Sequence, residues 1–92
     1  MKDKFEVRFP SWFDDFAEFE YEAKGFLLDI PVCINDKWEV FNFYDFSRFF
    51  QEAEYDIYND EFLIVRNTIL LKNVTKKEIL KAIEKLASSK DN

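Results

Sequence analysis

The sequence predicts an α+β domain, a mostly antiparallel sheet of about five strands with two main helices packed on one face. Three observations predict it. Short segments of apolar and polar alternation recur between turn signals, a stretch after Asp45 repeats its apolar residues at helical spacing, and a capped amphipathic stretch closes the chain. At 92 residues a single domain, residues 1–92, is expected, with a core rich in rings: 12 Phe, 4 Tyr and 2 Trp.

Lys4 to Phe9 alternates strictly, with Phe5, Val7 and Phe9 on one side and Lys4, Glu6 and Arg8 on the other, as a half-buried strand does. Pro10 ends it. Ser11 can cap a short helical turn through Phe16, with Asp14 at its third position. From Glu18 the period changes to two, with Glu18, Glu20 and Glu22 facing away from Phe19, Tyr21 and Ala23, and a strand is expected there. A helix continuing from Ser11 would instead place Trp12, Phe16, Phe19 and Ala23 on one stripe, so the alternative stays open.

Lys24-Gly25 is the natural turn into a strand from Phe26 to Ile34, whose apolar face would hold Phe26, Leu28, Ile30, Val32 and Ile34. Pro31 lacks a ladder donor, which predicts an edge position or a bulge there. Asn35-Asp36-Lys37 supplies hairpin chemistry before a strand from Trp38 to Phe43. Asp45 then caps a helix whose residues Phe46, Phe49, Phe50, Ala53 and Ile57 form a core-facing stripe. Phe62 to Leu71 reads as a further strand, interrupted near Arg66-Asn67. Thr75 and Glu78 mark a capping box, with Val74 and Ile79 as its hydrophobic staple. In the last helix Ile79, Leu80, Ile83, Leu86 and Ala87 form the buried stripe, and Lys76, Lys77, Lys81, Glu84 and Lys85 the wet one. A frayed tail from Ser88 to Asn92 is expected.

Formal net charge is -6 and unevenly spread: -4 over residues 1–23, 0 over 24–34, -6 over 35–61 and +4 over 62–92. The chain has no His and one Cys, so Cys33 has neither a disulfide partner nor an imidazole to activate it, and an inert strand cysteine is expected. Without a Gly-rich phosphate loop, catalysis would rest on carboxylates whose sequence spacing defines no acid and base pair, so no enzyme and no cofactor is expected. Tyr55 to Phe62 lacks the Gly and frame of a calcium loop, and zinc would need ligands the chain does not have.

Lys77, Lys81 and Lys85 recur along the last helix, but Glu78, Glu84 and the negative total argue against direct nucleic-acid binding. No apolar run reaches membrane-spanning length and no signal segment follows Met1, so a cytoplasmic protein without membrane contact is expected. The remaining reading is recognition of a basic protein. Its interface would be drawn from Asp14, Asp15, Glu18, Glu20, Glu22, Glu52, Glu54, Asp56, Asp60 and Glu61, with Trp12, Tyr21, Tyr55 and Tyr58 as aromatic anchors. A fold whose rings simply fill the core, with acids that only keep the chain dispersed, reads the same composition equally well.

The segments GFLLDIPVCINDKWEVFNFYDFSRFF, from Gly25 to Phe50, and NTILLKNVTKKEILKAIEKLA, from Asn67 to Ala87, resemble immunity proteins encoded beside secreted polymorphic toxins of bacteria, in contact-dependent inhibition and Maf-type systems. The resemblance rests on Phe43-Tyr44-Asp45 ending a hairpin, Arg48 opening a helix and Val74-Thr75 leading a strand into a helix cap. Phe46 stands where that group often has Pro. The resemblance implies a monomer or weak dimer that neutralises a cognate toxin, often a basic nuclease, by one-to-one binding. Two rival readings are a phage-type acidic inhibitor that mimics nucleic acid and a small secretion or assembly chaperone, which would expose an apolar groove.

Overall fold

A computed structural model describes residues 4–89. Their order is β1 (Phe5–Val7), α1 (Asp15–Lys24), β2 (Phe26–Ile34), β3 (Lys37–Asp45), α2 (Phe46–Asp60), β4 (Thr68–Leu71) and α3 (Lys76–Ser89). The architecture is α+β, but the sheet has four strands, not five, in the order β1-β2-β3-β4. It is also mixed: β1, β2 and β3 pair antiparallel, whereas β3 and β4 are parallel. Parallel neighbours need a crossover connection, and α2 supplies it.

Several expectations fail here. The stretch from Glu18 is not a strand but part of α1, because Asp14 rather than Ser11 is the cap, its carboxylate accepting the Ala17 N–H at 2.9 Å. The helix also turns Phe16 and Phe19 outward and buries Ala17, so the expected stripe faces solvent. The strand expected from Phe62 begins only at Thr68.

A further failure concerns the layers. Phe13 and Ala17 from the α1 end, Leu27, Ile30, Val32 and Ile34 from β2, Phe41 and Phe43 from β3, Leu71, Val74, and Ile79, Ile83 and Ala87 from α3 form one buried cluster. Strand alternation sends Tyr44 to the other side of the sheet, where its ring meets Phe49 of α2 at 5.7 Å. Thus α1 and α3 cover one face and α2 lies on the opposite one. The expectation of two main helices on one face is corrected accordingly. α2 contributes no buried residue, so its expected core-facing stripe is corrected too.

Local chemistry explains the strand details. Asn35 and Asp36 both have positive φ, 50° and 70°, as a two-residue hairpin turn of the I′ kind requires. The bulge in β2 falls between Leu27 and Ile30, with Asp29 at φ 59° and its N–H donating to Asn42 Oδ1 at 2.8 Å. It moves Leu27 into the core and leaves Leu28 on the far face, reversing the expected face for Phe26 and Leu28. Pro31 is neither bulged nor on an edge strand; it lies opposite the point where β1 ends, accepting the Arg8 N–H through its carbonyl at 2.9 Å. Its missing donor costs nothing there.

Thr75 caps α3 as expected, its hydroxyl accepting the Glu78 N–H at 3.2 Å. A second cap comes from far along the chain. Glu18 Oε2 accepts the Lys76 N–H at 2.6 Å and so ties α1 to the start of α3. Leu80, expected in the buried stripe, is partly exposed, and Lys76, expected on the wet face, folds over the rings of Phe9 and Phe13. Ser88 and Ser89, expected to fray, belong to α3 and donate to the Glu84 and Lys85 carbonyls; residues 90–92 lie outside the described ones.

Candidate functional site: the outer face of α2

Gly25 sets where α2 starts. It ends α1 in the left-handed region at φ 81°, and its carbonyl accepts the Asp45 N–H at 2.9 Å. A Cβ at this position would lie 2.6 Å from Asp45 Oδ2 and 2.9 Å from Arg48 Cβ. Glycine is therefore required both for backbone conformation and for space. Asp45 caps α2 by accepting the Arg48 N–H at 2.8 Å. The Arg48 guanidinium in turn pairs with Glu52 at 3.0 Å and lies 4.8 Å from the centre of the Phe26 ring.

This anchoring uses one side of the helix only. Phe49 and Asp56 face the sheet beside Asn42 and Tyr44, and Ala53 lies at the boundary between the two sides of the helix. On the other side Phe46 is 67 % exposed, Phe50 58 %, Ile57 53 % and Tyr58 87 %. The Phe46 and Phe50 rings lie 5.9 Å apart, and Phe50, Ala53, Ile57 and Tyr58 line a shallow apolar depression with Glu54 at its margin. A second, open groove runs from Ala23 and Lys24 at the end of α1 along Ser47, Gln51, Glu54 and Tyr55. Asp60 and Glu61 close the far end of the helix.

The fourteen residues proposed from sequence separate into distinct roles. Asp14 and Glu18 cap helices, and Glu52 is committed to Arg48. Tyr21 is half-buried, its ring among those of Trp12, Phe13 and Phe26 with the Lys24 ammonium 4.8 Å away. Trp12 is half-exposed beside it. Asp15, Glu20 and Glu22 lie exposed on α1, while Glu54, Tyr55, Tyr58, Asp60 and Glu61 lie exposed on or at the end of α2; Asp56 is partly covered. The structure therefore joins Glu54, Tyr55 and Tyr58 into one surface. It puts the α1 acids in the other layer of the fold.

Helical spacing assigns Phe46, Phe50 and Ile57 to the core, which keeps them out of the interface residues that the sequence offers. A usable signal was present: with Phe49, Ala53, Tyr55 and Tyr58, the apolar and aromatic positions extend beyond the one stripe a helix can bury against a sheet. The ring of Tyr44 lies beneath α2. Burial pushes its phenol above the ordinary value of 10.0, the Glu52 carboxylate adds to the effect, and Arg48 opposes it.

Cys33 lies half-buried on β2, on the face away from the core. Among the described residues no group of three His, Cys, Asp or Glu side chains is placed to hold a metal ion, and no helix is long and apolar enough to cross a membrane. No family model, curated protein or solved structure matches the chain.

Proposed function

We propose that the protein acts by binding, not by catalysis, and that the outer face of α2 is its contact surface for a basic protein. The observation that carries this reading is a fifteen-residue helix with no buried residue, exposing Phe46, Phe50, Ile57 and Tyr58 beside Glu54, Asp60 and Glu61. Rings and aliphatic groups supply affinity once water is excluded, and a carboxylate margin attracts and orients a cationic partner. The net charge of -6 supports a basic partner in particular.

The resemblance to immunity proteins gives the reading a biological form: stoichiometric neutralisation of a secreted bacterial toxin domain, such as a basic nuclease, in the cytoplasm of the producing cell. The test is binding to the C-terminal domain of the toxin encoded next to this gene, with protection of cells expressing that domain. Phe50→Ala and Tyr58→Ala together should weaken the complex by about a thousandfold, since central aromatic contacts contribute on the order of 2 kcal/mol each and about 1.4 kcal/mol is tenfold in affinity. Added salt should slow association. Failure to bind and failure to protect would defeat the immunity reading; full affinity in the double variant would remove α2 from the interface.

A further inference from the structure

β3 is nine residues long, but β4 pairs only with its last four, Asn42 to Asp45. Among the described residues, no strand pairs with the outer edge of β3 from Lys37 to Phe41. In this register the even-numbered residues of β3 aim their backbone groups at that edge, as Asn42 does in donating its N–H to the Asn67 carbonyl at 2.9 Å. Trp38 and Val40 follow the same parity, and their side chains are 45 % and 49 % exposed. Natural sheets usually cover or blunt such an edge.

The chain itself carries a fitting strand. Continuing the observed register back from the Asn42 and Thr68 pair sets Arg66 opposite Val40, Ile64 opposite Trp38 and Leu63 opposite Lys37. Residues 63–67 have no regular structure, and Ile64 and Val65 are exposed. The connection is also long enough. From Lys37 to Asp45 β3 advances ~26 Å; α2, with fifteen residues, returns ~22 Å. Glu61 and Phe62 can supply up to ~7 Å more as a two-residue loop.

Asn67 keeps the two segments apart. Its φ of 44° turns the chain out of line with β4, a conformation Asn tolerates better than most residues. Its side-chain amide donates to the Val40 carbonyl at 3.1 Å. In a lengthened parallel ladder that same carbonyl would accept the backbone N–H of Asn67. The side chain thus occupies the place its own backbone would take.

From this substitution of side chain for backbone we infer that residues 63–67 form a strap that closes onto the open edge of β3, lengthening β4 to residues 63–71, with Asn67 as the latch. Closure pairs Ile64 with Trp38 and withdraws the edge from any other strand. The inference stands on the β3 edge and is independent of the reading of α2.

The test is residue-resolved amide hydrogen exchange on the full chain. Asn67→Val disfavours positive φ and removes the amide latch, so Trp38, Val40 and Val65 should exchange at least about tenfold more slowly than in the wild type. Asn67→Gly keeps positive φ available and should leave these amides fast. Unchanged exchange in a folded Asn67→Val variant would overturn the strap. So would protection that grows with protein concentration, which would mean that a second copy fills the edge. Should Asn67→Val not fold, a chain with Cys33→Ser, Trp38→Cys and Ile64→Cys retains the latch and traps the closed form. Oxidation should then give an intrachain crosslink, since paired strands bring Cα atoms within disulfide reach; no crosslink, or crosslinks between chains only, would refute closure.

Discussion

Replacing Glu18 distinguishes an acid that builds the fold from one that merely decorates it. Its carboxylate accepts the Lys76 N–H at 2.6 Å across 58 residues of chain, at the positive end of α3 and in a partly buried position. A hydrogen bond to a charged group contributes ~1.5–3 kcal/mol, a range that already includes most of its attraction to the helix end. Partial solvent access favours the lower half, so Glu18→Ala should cost about 2 kcal/mol. Glu18→Gln keeps an acceptor oxygen but loses the charge and should cost ~0.5–1 kcal/mol. The assay is urea unfolding followed by far-UV circular dichroism. With a slope of ~1 kcal/mol per molar for a small domain, the Ala variant's midpoint should fall by about 2 M. Glu20→Ala and Glu22→Ala, on exposed positions of the same helix, should stay within ~0.5 kcal/mol of the wild type. Equal losses at Glu18 and Glu20 would refute the claim that the contact between α1 and α3 distinguishes these carboxylates.

Gly25→Ala should destabilise by at least about 2 kcal/mol in the same assay, combining left-handed strain with displacement of the Asp45 cap. Phe43→Ala, at a fully buried ring, should cost ~3–5 kcal/mol, whereas Phe50→Ala should change stability by less than ~0.5 kcal/mol. Tyr44 holds its proton more tightly folded than unfolded, so its contribution is complete below pH 10.0 and is lost as pH rises through its folded pKa. The stability difference between wild type and Tyr44→Phe should therefore shift against the wild type above pH 10.0, and ultraviolet difference titration should lose a late-ionising phenol in the variant. Asp60→Lys should raise stability by ~0.3–1 kcal/mol by complementing the helix end, while slowing association with a basic partner.

Features encoded by neighbouring residues could be read from the sequence. Phe5, Val7 and Phe9 do alternate against Lys4, Glu6 and Arg8; Asn35-Asp36 does form the hairpin turn; Asp45 and Thr75 do cap helices. The stretch from Glu18 satisfied two periods at once, and the deciding contacts were a local cap at Asp14 and a distant one at Lys76. The parallel pairing of β4 and the layer occupied by α2 depend on a crossover, which leaves no mark on local spacing. The same blindness affected the site: Phe50 and Phe49 are adjacent and chemically identical, yet one lines an exposed depression and the other meets Tyr44.

The position of the acids sharpens the argument for a partner at α2. Asp14, Glu18 and Asp45 lie at helix starts, where carboxylates stabilise the native chain, so folding explains them without any ligand. Asp60 and Glu61 lie at a helix end, where the peptide dipoles already present negative charge, and no basic residue occupies that last turn. Glu61 also adopts φ 69°, a conformation that glycine would adopt with less strain. Two residues that each oppose local stability adjoin the apolar positions Ile57 and Tyr58, which are themselves exposed. A cationic group placed there would be attracted by both carboxylates and by the helix terminus. The proposed interface thus combines, at one end of α2, costs to the folded monomer that a basic partner would offset.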